Sequence, residues 1–308
     1  MKLLIVNFHY FREQKYMAGI YPTTKDTLHK QISAIAENYH FVSQKDILNY
    51  LQGQRKDLEA KACCLITWDD GLVEQMAAFE FLSEMKVPAI FYVPTKTIVD
   101  RVVLDVHKLH HIRTEWNDSE LSHRLNQAFQ MNAYNFDYEK LKNQYRYDSL
   151  EGQRVKYFIN FVLSPKEKEQ AINSWFEELA GSESSFSKRL YMSVEDLKLL
   201  AAHQALGGHG HSHLPMSVQK EEIAKKEIDL NLSILKEISG KPIKSFSYPY
   251  GGQSAVHTDL AKHFASTEVE FALTMWRGIN ETTDFKAPLF LKRVDTNDAP
   301  GGKNHSYG

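Results

Sequence analysis

Short runs rich in apolar, β-branched and aromatic residues recur along this chain, and the stretches beside them carry helical periodicity. The runs are KLLIVNF at 2–8, FVS near 41, ACCLITW at 62–68, VPAIFYV at 87–93, IKSFSY at 243–248, EFALTM at 270–275 and LFLKRV at 289–294. Near-continuous apolar character marks strands buried on both faces, as in a parallel sheet covered by helices. Helical patterns lie at Thr24 to Asn38, Val73 to Met85, Val194 to His203 and Val218 to Ile238, the last closed by Ser239-Gly240. The alternation predicts an α/β fold, a distorted parallel (β/α) barrel of about seven strands.

One region breaks the rhythm. From about Thr97 to Lys188 the chain is polar, aromatic and helical in pattern, without a convincing strand. The reading is a barrel made of 1–96 and 189–308, interrupted by a helical insertion or cap at 97–188. Within the insertion, YNFDYEKLKNQYRYD at 134–148 holds four tyrosines, with His107, His110 and His111 upstream. Helix packing explains such aromatics more simply than stacking on a sugar ring.

Bulk composition narrows the function. Lys and Arg total 37 against 39 for Asp and Glu, so the chain has no cationic field to attract a nucleic acid. The N-terminal apolar run is too short for a signal-peptide core, and no segment reaches a membrane-spanning length, which makes the cytoplasm the expected compartment. Cys63 and Cys64 are adjacent and read as small buried residues of a strand, not as a disulfide. The sequence sets no oligomeric state.

Three segments carry chemistry. In ITWDDG at 66–71, Asp69 and Asp70 stand at the end of an apolar run and are followed by glycine. In GGHGHSHLP at 207–215, His209, His211 and His213 fall within five residues, a density hard to attribute to core packing. An extended backbone would put all three imidazoles on one face, whereas a helical turn would unite only His209 and His213. Two imidazoles and a carboxylate suit either a hydrolytic metal centre or a non-haem iron site. A second carboxylate favours hydrolysis, because one acid can hold the cation while the other takes a proton from water. The third segment, FSYPYGG at 246–252, is a turn that could aim a backbone N–H at a developing oxyanion. Each of these segments follows a predicted strand, and in a parallel barrel such loops converge on one mouth, to which His9 in NFHYF should also belong.

These residues resemble the polysaccharide deacetylases of the NodB-homology type, a carbohydrate esterase family. TWDDG is similar to that family's TFDDG motif, which implies Asp69 as catalytic base and Asp70 as metal ligand. The family's His-x-x-x-His motif falls on His209 and His213 and leaves His211 outside. FSYPYGG resembles the third motif and implies the Tyr250 N–H as an oxyanion donor, with Trp68, Tyr248 and Arg293 as expected substrate contacts. Two positions depart from the pattern: Ser247 stands where the family has an arginine that orients the base, and LFLKRVDTND lacks the usual general-acid histidine, for which His9 is the substitute.

The resemblance implies a divalent metal, zinc the expected one, and an acetylated sugar as substrate. A sugar-nucleotide or lipid-linked aminosugar precursor of surface polysaccharide fits the expected cytoplasmic location. Three other functions use the same residues: a deformylase of a lipid-linked aminosugar, an amidohydrolase-like barrel with His209 and His211 as ligands, and an inert glycan-binding barrel.

Overall fold

The computed structural model describes residues 1–14, 16 and 19–304. Among the described residues eight strands form one sheet: β1 (Lys2–Phe8), β2 (His40–Phe41), β3 (Ala62–Trp68), β4 (Ala89–Val93), β5 (Leu206–Gly208), β6 (Ser245–Ser247), β7 (Phe271–Leu273) and β8 (Val294–Asp295). Their order is β7-β6-β5-β4-β3-β1-β8, with β2 beside β3, and the paired strands are parallel. A parallel bridge between Leu273 and Leu291 brings β7 back to the segment leading into β8, so the sheet curls into the distorted barrel that the strand pattern predicts.

Thirteen α-helices accompany the sheet among the described residues. They are α1 (Lys25–Ala36), α2 (Gln44–Leu51), α3 (Gln75–Glu84), α4 (Lys96–Val99), α5 (Asp105–Glu115), α6 (Asp118–Phe129), α7 (Tyr138–Gln144), α8 (Leu150–Tyr157), α9 (Pro165–Ala180), α10 (Glu183–Leu190), α11 (Val194–Ala202), α12 (Glu221–Ser239) and α13 (Leu260–Phe264). None of them is long and apolar enough to cross a membrane.

The chain divides into two compact units, one of residues 1–13, 22–102 and 187–308, the other of 14–21 and 103–186. In the first, the two-residue period of the strands sorts side chains into two layers. Leu4, Val6 and Phe8 of β1 and Cys64, Ile66 and Trp68 of β3 pack outward against Leu28, Ile32 and Ile35 of α1 and Ala78 and Leu82 of α3. Leu3, Ile5, Cys63 and Leu65 face inward and meet Ile90, Phe271, Leu273 and Leu291 inside the barrel. Each fully buried side chain of this size contributes roughly 1.5–3 kcal/mol, far more than any helix propensity difference, so the layers fix the register. Reciprocal caps start three helices of this unit: Thr24 with Thr27 at α1, Ser43 with Asp46 at α2, and Ser193 with Asp196 at α11.

In the second unit no strand occurs among the described residues. Leu109, Ile112, Leu121, Leu125, Ile159 and Phe176 are buried, as is the guanidinium of Arg113. Arg113 Nε lies 2.7 Å from Asp118 Oδ1, and its Nη2 lies 3.0 Å from Asp148 Oδ1. Asp148 also pairs with Lys156 at 2.9 Å. Of the four tyrosines at 134–148, Tyr145 is buried and accepts a hydrogen bond from Asn160 Nδ2 at 3.1 Å, while Tyr134, Tyr138 and Tyr147 are exposed.

The local reading errs where propensity is silent. β5 is Leu-Gly-Gly, with no β-forming side chain beyond Leu206, and only pairing with β4 and β6 makes it a strand. The run LFLKRV starts instead as a 3-10 turn at Pro288–Phe290, since proline fixes φ and lacks the N–H a ladder needs, and it pairs with β7 only through the bridge at Leu291 before β8 begins at Val294.

Candidate active site and metal centre

The site grows from the paired ends of β1 and β3. Phe8 is in register with Trp68, and Asp69 N–H donates to the Phe8 carbonyl at 3.0 Å, which sets His9 and Asp69 side by side just beyond the strands. Gln75 at the start of α3 locks this corner, its Nε2 donating to the Asp69 carbonyl at 2.6 Å and to the His9 carbonyl at 2.9 Å. The chain then turns through left-handed conformations at Asp70 (φ 83°) and Gly71 (φ 63°). For Asp70 this costs about 1–2 kcal/mol, a strain that persists only where the surroundings fix it. A Cβ on Gly71 would come within 2.9 Å of Val93 Cγ1, so glycine is needed for space as well as for its φ. The turn sends two adjacent carboxylates to different partners.

Asp69 faces into the barrel, 2% exposed, and is enclosed by donors. Arg293 donates from Nη1 to Oδ1 at 2.9 Å and from Nη2 to Oδ2 at 2.7 Å. Oδ2 also accepts from Asn7 Nδ2 and from the Ser247 hydroxyl, each at 3.1 Å. Arg293 is oriented in turn, donating to Ser247 Oγ at 2.8 Å, Asn7 Oδ1 at 2.9 Å and the Thr274 carbonyl at 3.0 Å. Burial alone pushes the Asp69 carboxyl up, but the Arg293 guanidinium and then the His209 imidazole outweigh it and hold the group below its ordinary value. The arginine absent at Ser247 is thus replaced in space by Arg293, from a strand end forty-six positions later in the chain.

Asp70 Oδ1 lies 3.4 Å from His209 Nε2 and 3.1 Å from His213 Nε2. Residues separated by about 140 positions in the sequence therefore meet, and all three are buried. One ligand atom from each lies within 4.8 Å of the others, the one such group of three found among the described residues. His209 Nδ1 sits 2.7 Å from the Ser247 carbonyl, which can only accept, so Nδ1 carries the hydrogen and Nε2 is the atom turned to Asp70. Burial lowers the His209 pKa, yet Asp69 and then Asp70 outweigh it and raise the ring above its ordinary value. A carboxylate oxygen and two Nε2 atoms converging in this way suit a divalent cation with positions left open for other ligands.

His211 lies outside the group. Its Nδ1 is 3.0 Å from Thr95 Oγ1 and its ring is half-buried, so the His209-x-His211 pairing of an amidohydrolase-like site is not formed. The Tyr250 ring packs 5.2 Å from that of His213, and Tyr250 takes a left-handed φ of 61° in the turn after β6. His9 is partly exposed beside Asp69, close enough for its charge to lower the Asp69 carboxyl further.

Trp68, Tyr248 and Arg293, the expected substrate contacts, are each 0% exposed. Strand alternation explains this. Trp68 points outward into the helix layer, its ring 4.9 Å from that of Phe8, while its neighbours Thr67 and Asp69 point inward. Tyr248 likewise packs outward with Phe246 and Phe264, while Ser247 points in. None of the three offers surface to a sugar in this conformation, and Arg293 is engaged with Asp69 instead. Asn7 and Gln75 escaped the sequence reading, and Ser247 entered it only as a departure from the third motif, without its bond to Asp69. Asn7 left a trace, as a polar residue at an inward position of an apolar strand.

A family model described as polysaccharide deacetylase matches residues 161–269, which include His209, His213 and Tyr250 but not Asp69 and Asp70. No curated protein matches the chain in sequence. Among solved structures, the Streptococcus pyogenes deacetylase PplD, determined in complex with acetate, superposes with a TM-score of 0.55 at 14% identity, over 99% of this chain and 97% of that one. IcaB from Ammonifex degensii gives 0.57 at 16% identity, over 95% and 91%. The BpsB deacetylase domain from Bordetella bronchiseptica gives 0.54 at 15%, over 96% and 95%. The chain has the polysaccharide deacetylase fold, and the resemblance seen in its motifs is borne out.

Proposed function

We propose that this chain is a metal-dependent deacetylase that hydrolyses an N-acetyl group, or secondarily an O-acetyl group, from a sugar or sugar-containing precursor of surface polysaccharide. One observation carries the reading: Asp70, His209 and His213 converge within ligand distance of one another while a second carboxylate, Asp69, is held separately by Arg293. The matched family model and the acetate complex of PplD support the acyl chemistry.

Asp70, His209 and His213 would hold a divalent cation, zinc the expected one. Bound there, it supplies Lewis-acid polarisation of the acyl group and acidifies a water at neutral pH. Asp69 removes the proton of the attacking water. Its four hydrogen bonds keep the carboxylate ionised and fixed in direction, so the base stays charged inside a buried site. The Tyr250 N–H donates to the oxyanion as the carbonyl carbon becomes tetrahedral. His9, beside Asp69 at the end of the neighbouring strand β1, gives a proton to the leaving amine. Trp68 and Tyr248 act as supports behind the site, and Arg293 sets the orientation of the base.

The test is elemental analysis of the purified chain, followed by acetate release from N-acetylglucosamine oligomers, sugar nucleotides and lipid-linked aminosugars. One cation per chain with acetate released supports the assignment. Formate without acetate identifies a deformylase, and a stoichiometric cation with no acyl release from any of them supports a glycan-binding barrel.

A further inference from the structure

The loop that carries both histidines is fastened from behind by α12. Asn231, fully buried on that helix, accepts from the His209 N–H at 3.1 Å. Its Nδ2 lies 2.7 Å from the Gly210 carbonyl, 3.0 Å from the Val93 carbonyl and 3.3 Å from Thr95 Oγ1. One helical turn earlier, Glu227 Oε2 accepts from both the N–H and the hydroxyl of Ser212, at 2.6 and 2.8 Å. Two side chains at i and i+4 therefore grip His209, Gly210 and Ser212 from a single helix face.

That grip sits where the backbone is least at ease. Gly210 has φ 72° and His213, which is not glycine, has φ 58°. A β-carbon in the left-handed region is disfavoured, and such a residue keeps its conformation only when its neighbours are held. Ser212, immediately before His213, is the residue that Glu227 holds at two atoms. Asn231 does the same for the first ligand by fixing the backbone on both sides of the His209–Gly210 peptide.

We infer that Glu227 and Asn231 are positioning residues for the metal centre, holding the loop in the one backbone conformation that turns both Nε2 atoms toward Asp70. The inference rests on the assignment of Asp70, His209 and His213 as ligands. A purely architectural role for Glu227 fits less well, because α12 packs on the barrel through Ala224, Ile228 and Leu235, and Glu227 is only half-buried.

The experiment titrates zinc into the chelator-treated full chain against a chromophoric competitor, alongside thermal unfolding of the metal-free proteins. Partners that orient ligands typically change metal affinity by about 10–100-fold. Glu227→Ala should bind zinc roughly tenfold more weakly, with the melting temperature of the metal-free protein unchanged. Glu227→Gln keeps the acceptor and should stay within about threefold of the wild type by the same reasoning. Asn231→Ala should fall toward the lower-affinity end of that range. Zinc in the wild type with unaltered affinity in Glu227→Ala overturns this inference alone, as does Gln binding as weakly as Ala, or weaker binding matched by equal destabilisation of the metal-free chain. Failure of the wild type to bind zinc overturns the ligand assignment, and this inference with it.

Discussion

Arg293→Met is the substitution whose consequences the structure specifies most fully. It removes the one full positive charge bonded to Asp69 and keeps most of the side-chain volume, so the effect is electrostatic before it is steric. Two N–H···O bonds at 2.9 and 2.7 Å put the charge centres about 4 Å apart, worth roughly 4 kcal/mol at an effective dielectric of about 20. Both groups are fully or nearly fully buried, so solvent screening discounts little of this. Removing one member of such a pair typically costs about 3–5 kcal/mol, because the other charge is left unpaired in the interior. The Asn7 and Ser247 bonds to Asp69 survive and soften the loss toward the lower figure. Removing both charges is milder, since no ion is then stranded. A double-mutant cycle of Arg293→Met and Asp69→Asn, followed by urea unfolding of the metal-free proteins, should give a coupling energy of about 2–3 kcal/mol. Turnover in Arg293→Met should fall about 10²–10⁴-fold, the usual worth of a positioned base, because burial then drives Asp69 toward its neutral form. Additivity of the two substitutions within about 0.5 kcal/mol, or full activity in Arg293→Met, would refute the reasoning.

Four further outcomes are expected. Asp69→Asn should retain zinc and lose turnover, whereas Asp70→Asn and His213→Ala should lose both, as elemental analysis and acetate release will reveal. His211→Ala should keep its zinc, because that ring bonds to Thr95 and stands apart from the other two imidazoles. Zinc affinity should weaken as pH falls through the raised His209 pKa, since the cation must displace the proton that Asp69 and Asp70 stabilise. In the metal-free protein the sign is reversed: the stability from protonated His209 is fully present below its unfolded pKa and is lost as pH rises through the folded one. Asp148→Asn should destabilise the helical unit by roughly 3 kcal/mol, because Lys156 loses its carboxylate and Arg113 one of its two; unchanged denaturant midpoints would count against that network.

The sequence alone determined the kind of fold and the chemistry of the donors. Buried runs at regular intervals leave a parallel sheet few alternatives, and two carboxylates beside a histidine cluster leave a hydrolytic cation site as the economical reading. Spacing left the choice between His211 and His213 open, and it was the resemblance to the family's His-x-x-x-His motif that set His213 apart. Tertiary structure decided what each side chain touches. The arginine that steadies Asp69 comes from Arg293, because curling the sheet brings the segment before β8 against β1, and nothing in LFLKRV announces which residue lies opposite. The same pleat that aims Asp69 and Ser247 inward sends Trp68 and Tyr248 outward, so aromatic residues beside a motif became core instead of sugar contacts. Asn231 and Glu227 reach through space to a loop 15 to 22 positions earlier in the chain, from a helix whose periodicity encodes only which face is buried. Donor identity is written residue by residue, whereas orientation depends on which strand ends become neighbours, and only the closed packing of the sheet fixes that.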